Sequence, residues 1–324
     1  MSQAGLLTVA SVGGAKAGVW GTLSAGSSGL GIGLASAVDW GTSLPVLDLM
    51  KTARPWIGHG PDDWEVMDSS DMRAAGVFDE HGWPTRFPPG VDSIGTLVLV
   101  GFPEDAGGAA GRYLVSYEGA GEVAVGLGAT NVVYGPNLVE FDFPQGGEMV
   151  HIEITSTDPA GTGDYVRNIS VVRKDRVAAF RAGEVFNPDW LALIDGFEVH
   201  RFMDWMHTND ATLAHWEDRP KPDDANYRRH GVPVEVMVQL ANETGAEPWF
   251  TIPHLADDDF VRRFAEMVRE QLDPELRAWV EFSNEVWNWQ FQQAHWADEV
   301  GKSLWRRDPR WIQVYAGRAA EVAD

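Results

Sequence analysis

The sequence predicts an α/β protein: the N-terminal half of a (β/α)8 TIM-type barrel, with an all-β sandwich or jelly-roll module inserted into it. Three observations predict this class. Strand-like and helix-like segments alternate after residue 173, which is typical of parallel βαβ units. Short β-rich runs divided by Gly, Pro, Asn and Asp fill residues 91–173. Hydrophobic residues make up 44% of the 324 positions, which is enough for a large core.

The chain is divided by composition and pattern into a leader, a barrel and a module. Residues 1–30 are rich in Gly, Ala and Ser, and we interpret them as a leader or linker. An atypical signal peptide is the alternative, although no Lys or Arg precedes Lys16. The barrel is assigned to residues 31–90 and 174–324, and the β-module to residues 91–173.

The predicted barrel contains four strands separated by helical segments. The strands lie at residues 31–38, 196–204, 247–254 and 278–285. The helices lie at residues 43–53, 232–245, 257–274, 291–305 and 311–324. A complete barrel has eight βα units, and the sequence offers no candidates for the last four. We therefore expect the chain to be the N-terminal part of a longer protein.

The β-module is predicted from seven short apolar runs at a spacing of roughly ten residues. Gly, Pro, Asn and Asp separate the runs. Such spacing is typical of an antiparallel sandwich or jelly roll.

Composition limits the class of partner. The formal net charge of −23 argues against nucleic acid and anionic membrane surfaces. The chain has no cysteine, so disulfides, thiolate nucleophiles and cysteine-based metal sites are excluded. No apolar stretch is long enough for a membrane span. Asp257–Asp259 lacks the ligand spacing of a calcium loop, and we expect no metal and no cofactor. The oligomeric state stays open.

Polar and aromatic residues are predicted to follow each barrel strand. Barrels of this type carry their active sites at these carboxyl ends. The residues are Asp39 and Trp40, then Arg201, Asp204 and Trp205, then His254, and finally Asn284 and Glu285. On the fourth strand, alternation predicts that Glu281, Ser283 and Glu285 face the barrel interior, and that Val280, Phe282 and Asn284 share the other face.

The fourth strand, "VEFSNEVWN", resembles the fourth-strand signature of the retaining glycoside hydrolases of clan A, which are (β/α)8 barrels. The resemblance covers residues 31–60 and 175–324. It implies that Glu285 is the general acid/base and that Asn284 binds the sugar 2-hydroxyl. It further implies that Arg201 supports the nucleophile and that His254 lines the sugar site.

The same resemblance extends to large bacterial secreted proteins that act on polysaccharide. It implies a polysaccharide or oligosaccharide substrate and an extracellular or cell-surface location. Exposed indole faces stack on sugar rings, so Trp205, Trp287 and Trp289 are predicted to contact substrate, together with Asp39 and Trp40.

Several simpler interpretations remain open. Arg201 could have a purely structural role, in an ion pair with Asp204 or Glu281. His254 could be a structural histidine. Asn242-Glu243 repeats the Asn-Glu dipeptide at the end of a predicted helix, where it would be a surface or capping pair.

The nucleophile of the family, a glutamate on a seventh strand, has no match in the sequence. After Glu285 the only glutamates are Glu299 and Glu321, both in helix-like segments. A retaining mechanism needs two carboxyl groups, so we expect the chain by itself to hydrolyse weakly or not at all. A noncatalytic carbohydrate-binding or matrix-associated protein is the alternative function.

Overall fold

A computed structural model describes residues 10–12, 29–305 and 310–323. They form a mixed α/β structure with three sheets and, among these residues, seven α-helices. The strands are β1 (Ala10–Val12), β2 (Gly31–Gly33), β3 (Ile57–His59), β4 (Ser93–Val98), β5 (Gly111–Glu118), β6 (Gly121–Leu127), β7 (Thr130–Gly135), β8 (Leu138–Phe143), β9 (Val150–Thr157), β10 (Arg167–Arg173), β11 (Val199–Arg201), β12 (Glu247–Ile252) and β13 (Ala278–Phe282). The helices are α1 (Ser69–Ala74), α2 (Val177–Arg181), α3 (Pro188–Ile194), α4 (Val234–Thr244), α5 (Asp258–Gln271), α6 (Gln292–Leu304) and α7 (Trp311–Ala323).

The chain divides into two compact units. The first contains residues 1–36, 192–222 and 230–324, and the second contains residues 37–191 and 223–229. The second unit is therefore wider than the segment 91–173. The predicted leader, residues 1–30, lies outside the described residues except for 10–12, 29 and 30.

The first unit is built on a five-stranded sheet with the order β1-β13-β12-β11-β2. Strands β2, β11, β12 and β13 are mutually parallel, whereas β1 pairs antiparallel with β13. Each of the four predicted barrel strands is present but shorter than expected, and helices α4 and α5 connect β11 to β12 and β12 to β13.

Local sequence explains the two connecting helices. Helix α4 ends at Gly245, which adopts φ +68°, a left-handed conformation that favours glycine. Helix α5 begins after Asp257, whose side chain accepts a 2.8 Å hydrogen bond from the Phe260 N–H. Phe264 on α5 packs edge-on against Phe250 of β12, with ring centroids 5.1 Å apart. The apolar periodicity of α5 thus covers one face of the sheet.

The second unit contains two four-stranded antiparallel sheets, ordered β10-β5-β8-β7 and β3-β4-β9-β6. All seven strands predicted between residues 91 and 173 are present, and β3 adds an eighth. Both sheets contribute to one hydrophobic core, in which Ile94 and Ile152 of one sheet and Val115 and Phe141 of the other are fully buried.

The helix predicted at residues 43–53 is wrong. Only a short 3-10 turn forms there, at Leu49–Thr52, capped by the Asp48 carboxylate. Val46 and Asp48 instead form isolated antiparallel bridges with Phe186 and Val172. Extended pairing holds the backbone away from the helical conformation in the first half of the segment.

Candidate functional site

The register of the first sheet aligns a row of large side chains on one face. Arg201 of β11 is paired with Trp249 of β12, which is paired with Trp279 of β13. Thr251 and Glu281 form the next pair along the same face. Side chains alternate between faces along a strand, so Arg201, Trp249 and Glu281 share a side. The opposite face carries Phe250 and Phe282, which pack on Phe264 of α5 and Trp296 of α6.

Arg201 reaches across β12 to join residues from two neighbouring segments. Its Nη2 lies 2.8 Å from Glu281 Oε2 and 2.9 Å from Asn284 Oδ1, and its Nε lies 3.2 Å from the same Glu281 oxygen. The guanidinium carbon stands 5.1 Å from the centre of the Trp249 ring. Trp249 Nε1 also donates to Glu281 Oε2, over 3.1 Å. Three N–H groups therefore converge on one carboxylate oxygen.

Burial governs the charge of this cluster. Glu281 is only 3% exposed, and burial raises the pKa of its carboxyl group, while Arg201 and the Trp249 hydrogen bond oppose that rise. Burial likewise raises the pKa of Asp204, against the opposing effect of Arg201. The guanidinium thus offsets two carboxylates that would otherwise be costly to bury.

The predicted orientation of Asn284 is wrong. Alternation placed it opposite Glu281, yet both side chains contact Arg201. Strand β13 ends at Phe282, and Ser283 adopts φ +57°. A left-handed residue breaks the two-residue alternation, and this turns Asn284 onto the face of Glu281. The Ser283 N–H still bonds the carbonyl of Ile252, so the turn stays attached to β12.

Two further residues hold Asn284 in place. Its Nδ2 donates to Asn209 Oδ1 over 3.0 Å. Gln293, on the first turn of α6, donates from Nε2 to Asn209 Oδ1 and to the Asn284 carbonyl, each over 2.8 Å. Gln293 Oε1 accepts from the Asp210 N–H at 3.0 Å. The Asn284 amide is therefore oriented by contacts to the β11–α4 connection and to α6.

Glu285, the predicted acid/base, is exposed and directly follows this network. Its backbone is also left-handed, with φ +43°. Its Oε2 accepts a 2.9 Å hydrogen bond from Asn288 Nδ2, and its carbonyl accepts from the Asn288 N–H at 2.7 Å. The compact turn from Glu285 to Asn288 fixes the carboxylate near the carboxyl end of β13.

The aromatic and histidine candidates of this unit differ in exposure. Trp287 and Trp289 are 58% and 49% exposed, so their rings are available to a ligand. His254 is buried against Trp296, with ring centroids 5.4 Å apart, and burial lowers its pKa to about 4. Trp205 is 1% exposed and donates its indole N–H to the Ala35 carbonyl. Trp205 is thus a core residue, and its ring is not accessible for the predicted stacking on a sugar.

Asp39 and Trp40 belong to the second unit, and they do not end a strand as expected. Strand β2 stops at Gly33, and Asp39-Trp40 forms a turn six residues later. Asp39 is buried and pairs with Arg54, whose Nε lies 2.8 Å from Oδ2. Its carbonyl accepts from the Val100 N–H, which ties the turn to the end of β4.

One group of described residues has the donor types of a metal site. The ligand atoms of His81, Asp223 and Asp224 lie within 4.8 Å of one another in the second unit. The Lys51 ammonium donates to the Asp224 carbonyl over 2.5 Å. Burial lowers the pKa of Lys51, and the carboxylates of Asp48, Asp224 and Asp223 oppose that fall. This fixed cation offsets the charge that would attract a metal ion. The expectation of no metal stays a prediction.

Four members of the network were not predicted from the sequence: Asn209, Asp210, Trp249 and Gln293. Trp249 had a signal, because alternation on β12 places it on the face opposite the apolar Phe250. The other three lie in a loop and at a helix start, where no local pattern marks a role. Asn242, in the second Asn-Glu dipeptide, bonds the Gln271 carbonyl and the Asp273 N–H. It is a structural cap at the end of α5.

Comparisons with known protein families, with curated proteins and with solved structures found no match. In the part of the chain that the structure describes, none of the helices combines the length and apolar character needed to cross a membrane. The chemistry of the residues around Arg201 and Glu285 is therefore what indicates a function.

Proposed function

We propose that this chain is the acid/base-bearing part of a retaining glycoside hydrolase that acts on a polysaccharide. The observation that carries the proposal is the arrangement at the end of β13. A buried, charge-balanced network orients Asn284, and the next residue, Glu285, presents an exposed carboxylate. Asn284 would bind the sugar 2-hydroxyl, as the resemblance to clan A implies.

The parallel strands support a barrel architecture. Strands β2, β11, β12 and β13 lie side by side in the sheet in the same order in which they follow one another in the chain. Helices α4 and α5 form two of the crossovers. This is the arrangement of the first four strands of a (β/α)8 barrel. We assign the two antiparallel sheets with their shared core to an inserted β-sandwich module. Both assignments are part of the proposal.

The chemistry would proceed in two displacements. Glu285 donates its proton to the glycosidic oxygen as the C1–O bond breaks, while a second carboxylate forms a bond to C1. Glu285 then takes a proton from water, whose oxygen displaces that carboxylate from C1. The second carboxylate must lie about 5–5.5 Å from the first. The resemblance places it on a seventh strand, whereas Glu299 and Glu321 lie on α6 and α7.

Trp287 and Trp289 would form the sugar-binding surface beside Glu285. Trp289 is held by His295, whose Nε2 lies 2.9 Å from the Trp289 carbonyl and whose ring is 5.5 Å from the indole. A held indole loses little conformational entropy on binding. The exposure of these two rings also favours a second candidate, a carbohydrate-binding protein without turnover.

The test compares the wild type with Glu285→Gln in the full open reading frame that encodes this chain, on a panel of β-linked polysaccharides. We expect hydrolysis to fall by about 10²–10⁴-fold, with unfolding temperature unchanged. Glu243→Gln, in the structural Asn-Glu pair, is the matched control and should keep full activity. Equal turnover by both glutamine variants would reject Glu285 as the acid/base. Binding without turnover by the wild type would reject the hydrolase and leave the binding protein.

A further inference from the structure

Two arginines of the second unit pack against the Trp40 ring. Its side chain is 51% exposed. The guanidinium carbons of Arg54 and Arg228 lie 5.7 Å and 4.9 Å from the centre of its ring, within the range of cation–π attraction. We call Trp40, Arg54 and Arg228 the Trp40 platform.

One carboxylate serves both arginines of the platform. Arg54 Nε and Nη2 each lie 2.8 Å from Asp39 Oδ2. Asp39 is 2% exposed, and within the described residues its Oδ1 has no hydrogen-bond partner. Arg54 nevertheless remains 40% exposed at its side chain. The ion pair therefore fixes Arg54 without removing it from the surface.

Arg228 receives only a longer-range electrostatic contribution from the same carboxylate, Asp39. Among the described residues no carboxylate lies within ion-pair distance of its guanidinium, and its Nε is buried without a hydrogen bond. Arg112, in the same unit, shows the usual arrangement, with Glu140 and Asp142 both at 2.9 Å. The platform thus combines two guanidiniums with one carboxylate, a local positive site in a chain of net charge −23.

This combination matches one ligand chemistry. A guanidinium binds a carboxylate through a two-pronged pair of hydrogen bonds, better than it binds a neutral hydroxyl. An exposed indole contributes a flat apolar surface beside polar groups. At physiological salt, charges more than about 8–10 Å away are largely screened. The nearby arginines therefore affect an anionic ligand more than distant acidic residues do.

We propose that the Trp40 platform binds a carboxylate-bearing sugar unit of an acidic polysaccharide. Arg228 pairs with the ligand carboxylate, Arg54 adds the second cation, and the sugar ring packs on the exposed part of the Trp40 indole. The proposal rests on the proposed function for the polysaccharide nature of the ligand. It adds the charge of the ligand and two residues, Arg54 and Arg228, that recognise it.

Calorimetric binding to the full chain tests this directly. The probes are oligosaccharides that contain glucuronate, galacturonate or mannuronate, each compared with its carboxyl-reduced form. We expect at least one acidic form to bind tenfold or more tightly than its reduced counterpart, with an affinity that falls as salt rises. Arg228→Gln should reduce the preference to less than threefold, and Arg228→Lys should retain part of it because the charge remains. Trp40→Ala should weaken binding of both forms.

Arg181→Gln, which removes the same charge from an exposed position on α2 of the same unit, is the control and should keep the full preference. The proposal is overturned if every acidic form binds no more tightly than its reduced form, or if the preference survives Arg228→Gln in a folded variant. Binding does not require Glu285. Preference for acidic sugars without turnover would therefore reject only the hydrolase, and turnover without that preference would reject only the platform.

Discussion

Arg201 on β11 and Glu281 on β13 form a 2.8 Å ion pair across the intervening strand β12. The carboxylate is 3% exposed, and Trp249 of β12 lies beneath the guanidinium and donates to the same oxygen. The pair links the centre of the sheet to Asn284, which accepts from the same Arg201 nitrogen. Its integrity therefore determines the geometry of the candidate site.

Removing one partner of this pair should be more harmful than removing both. Arg201→Met leaves the buried Glu281 carboxylate without its cation, and we expect a loss of about 3–5 kcal/mol in the free energy of unfolding. The double variant Arg201→Met/Glu281→Leu should recover most of that loss. Urea unfolding of the two single variants and the double variant gives the coupling energy.

An exposed pair supplies the control for this cycle. Arg262 on α5 pairs with Asp259 and Glu266, all of them substantially exposed. Arg262→Met should cost less than about 1 kcal/mol. Strictly additive effects at Arg201 and Glu281 would show that the buried contact does not couple them.

Gln293 should contribute strongly to stability, although its substitution by methionine changes no charge. Gln293→Met keeps the volume of the side chain but removes its bonds to Asn209, Asp210 and the Asn284 carbonyl. Buried groups left without partners cost about 1–3 kcal/mol, and we expect about 2–3 kcal/mol in urea unfolding. Gln292→Met, exposed on the same helical turn, should change stability by less than 0.5 kcal/mol, roughly the limit for surface substitutions. Similar values for both variants would contradict the assigned role.

The left-handed turn at Ser283 predicts opposite results for two substitutions. Ser283→Gly relieves a φ of +57° and removes a hydroxyl that is buried without a partner among the described residues. We expect stability to stay constant or to rise by about 1 kcal/mol. Ser283→Val, with a branched side chain in the same conformation, should cost more than about 2 kcal/mol.

Ser303 provides the comparison, because the same change to glycine lies within helix α6. Glycine disfavours helix, so Ser303→Gly should destabilise by roughly 0.5 kcal/mol. Thermal unfolding of Ser283→Gly, Ser283→Val and Ser303→Gly measures these changes in stability. A destabilised Ser283→Gly protein would show that the strand turn depends on the serine hydroxyl instead of on backbone conformation.

His254 should make stability depend on pH. Burial lowers its pKa to about 4, against about 6.5 in the unfolded chain. Between these values the unfolded state binds more protons, so stability is fully present above pH 6.5 and is lost as pH falls toward 4. This histidine should contribute a loss of about 2 kcal/mol between pH 7 and pH 5.

Urea unfolding at both pH values measures the effect, and His254→Gln should reduce the loss. His215 is the control because Asp257 raises its pKa, so its contribution has the opposite sign and is lost as pH rises. His215→Gln should not flatten the dependence. An unchanged pH dependence in His254→Gln would show that His254 is not buried in its neutral form.

Local pattern predicted most of the regular structure. Helix α5 was visible from its apolar spacing and its three aspartates, because a helix repeats every 3.6 residues and favours acidic groups at its start. The strands of the second unit were visible from alternation and turn residues. Trp287 and Trp289 were predicted to contact a sugar because they follow the fourth strand, and both rings are exposed. The shortness of β2 and the lack of a helix at residues 43–53 were not predicted, because pairing with segments distant in the chain determines both.

The sequence by itself determined where most of the helices and strands lie, that cysteine chemistry is excluded, and that an Asn-Glu pair follows an apolar strand. Only the tertiary structure decided that Asn284 lies beside Glu281 and that Arg201 joins them. Arg201 and Asn284 are 83 residues apart in the chain, and their contact depends on strand register and on one left-handed residue, Ser283. Neither leaves a local signature, because register arises from long-range pairing and a positive φ at serine contradicts its own preference.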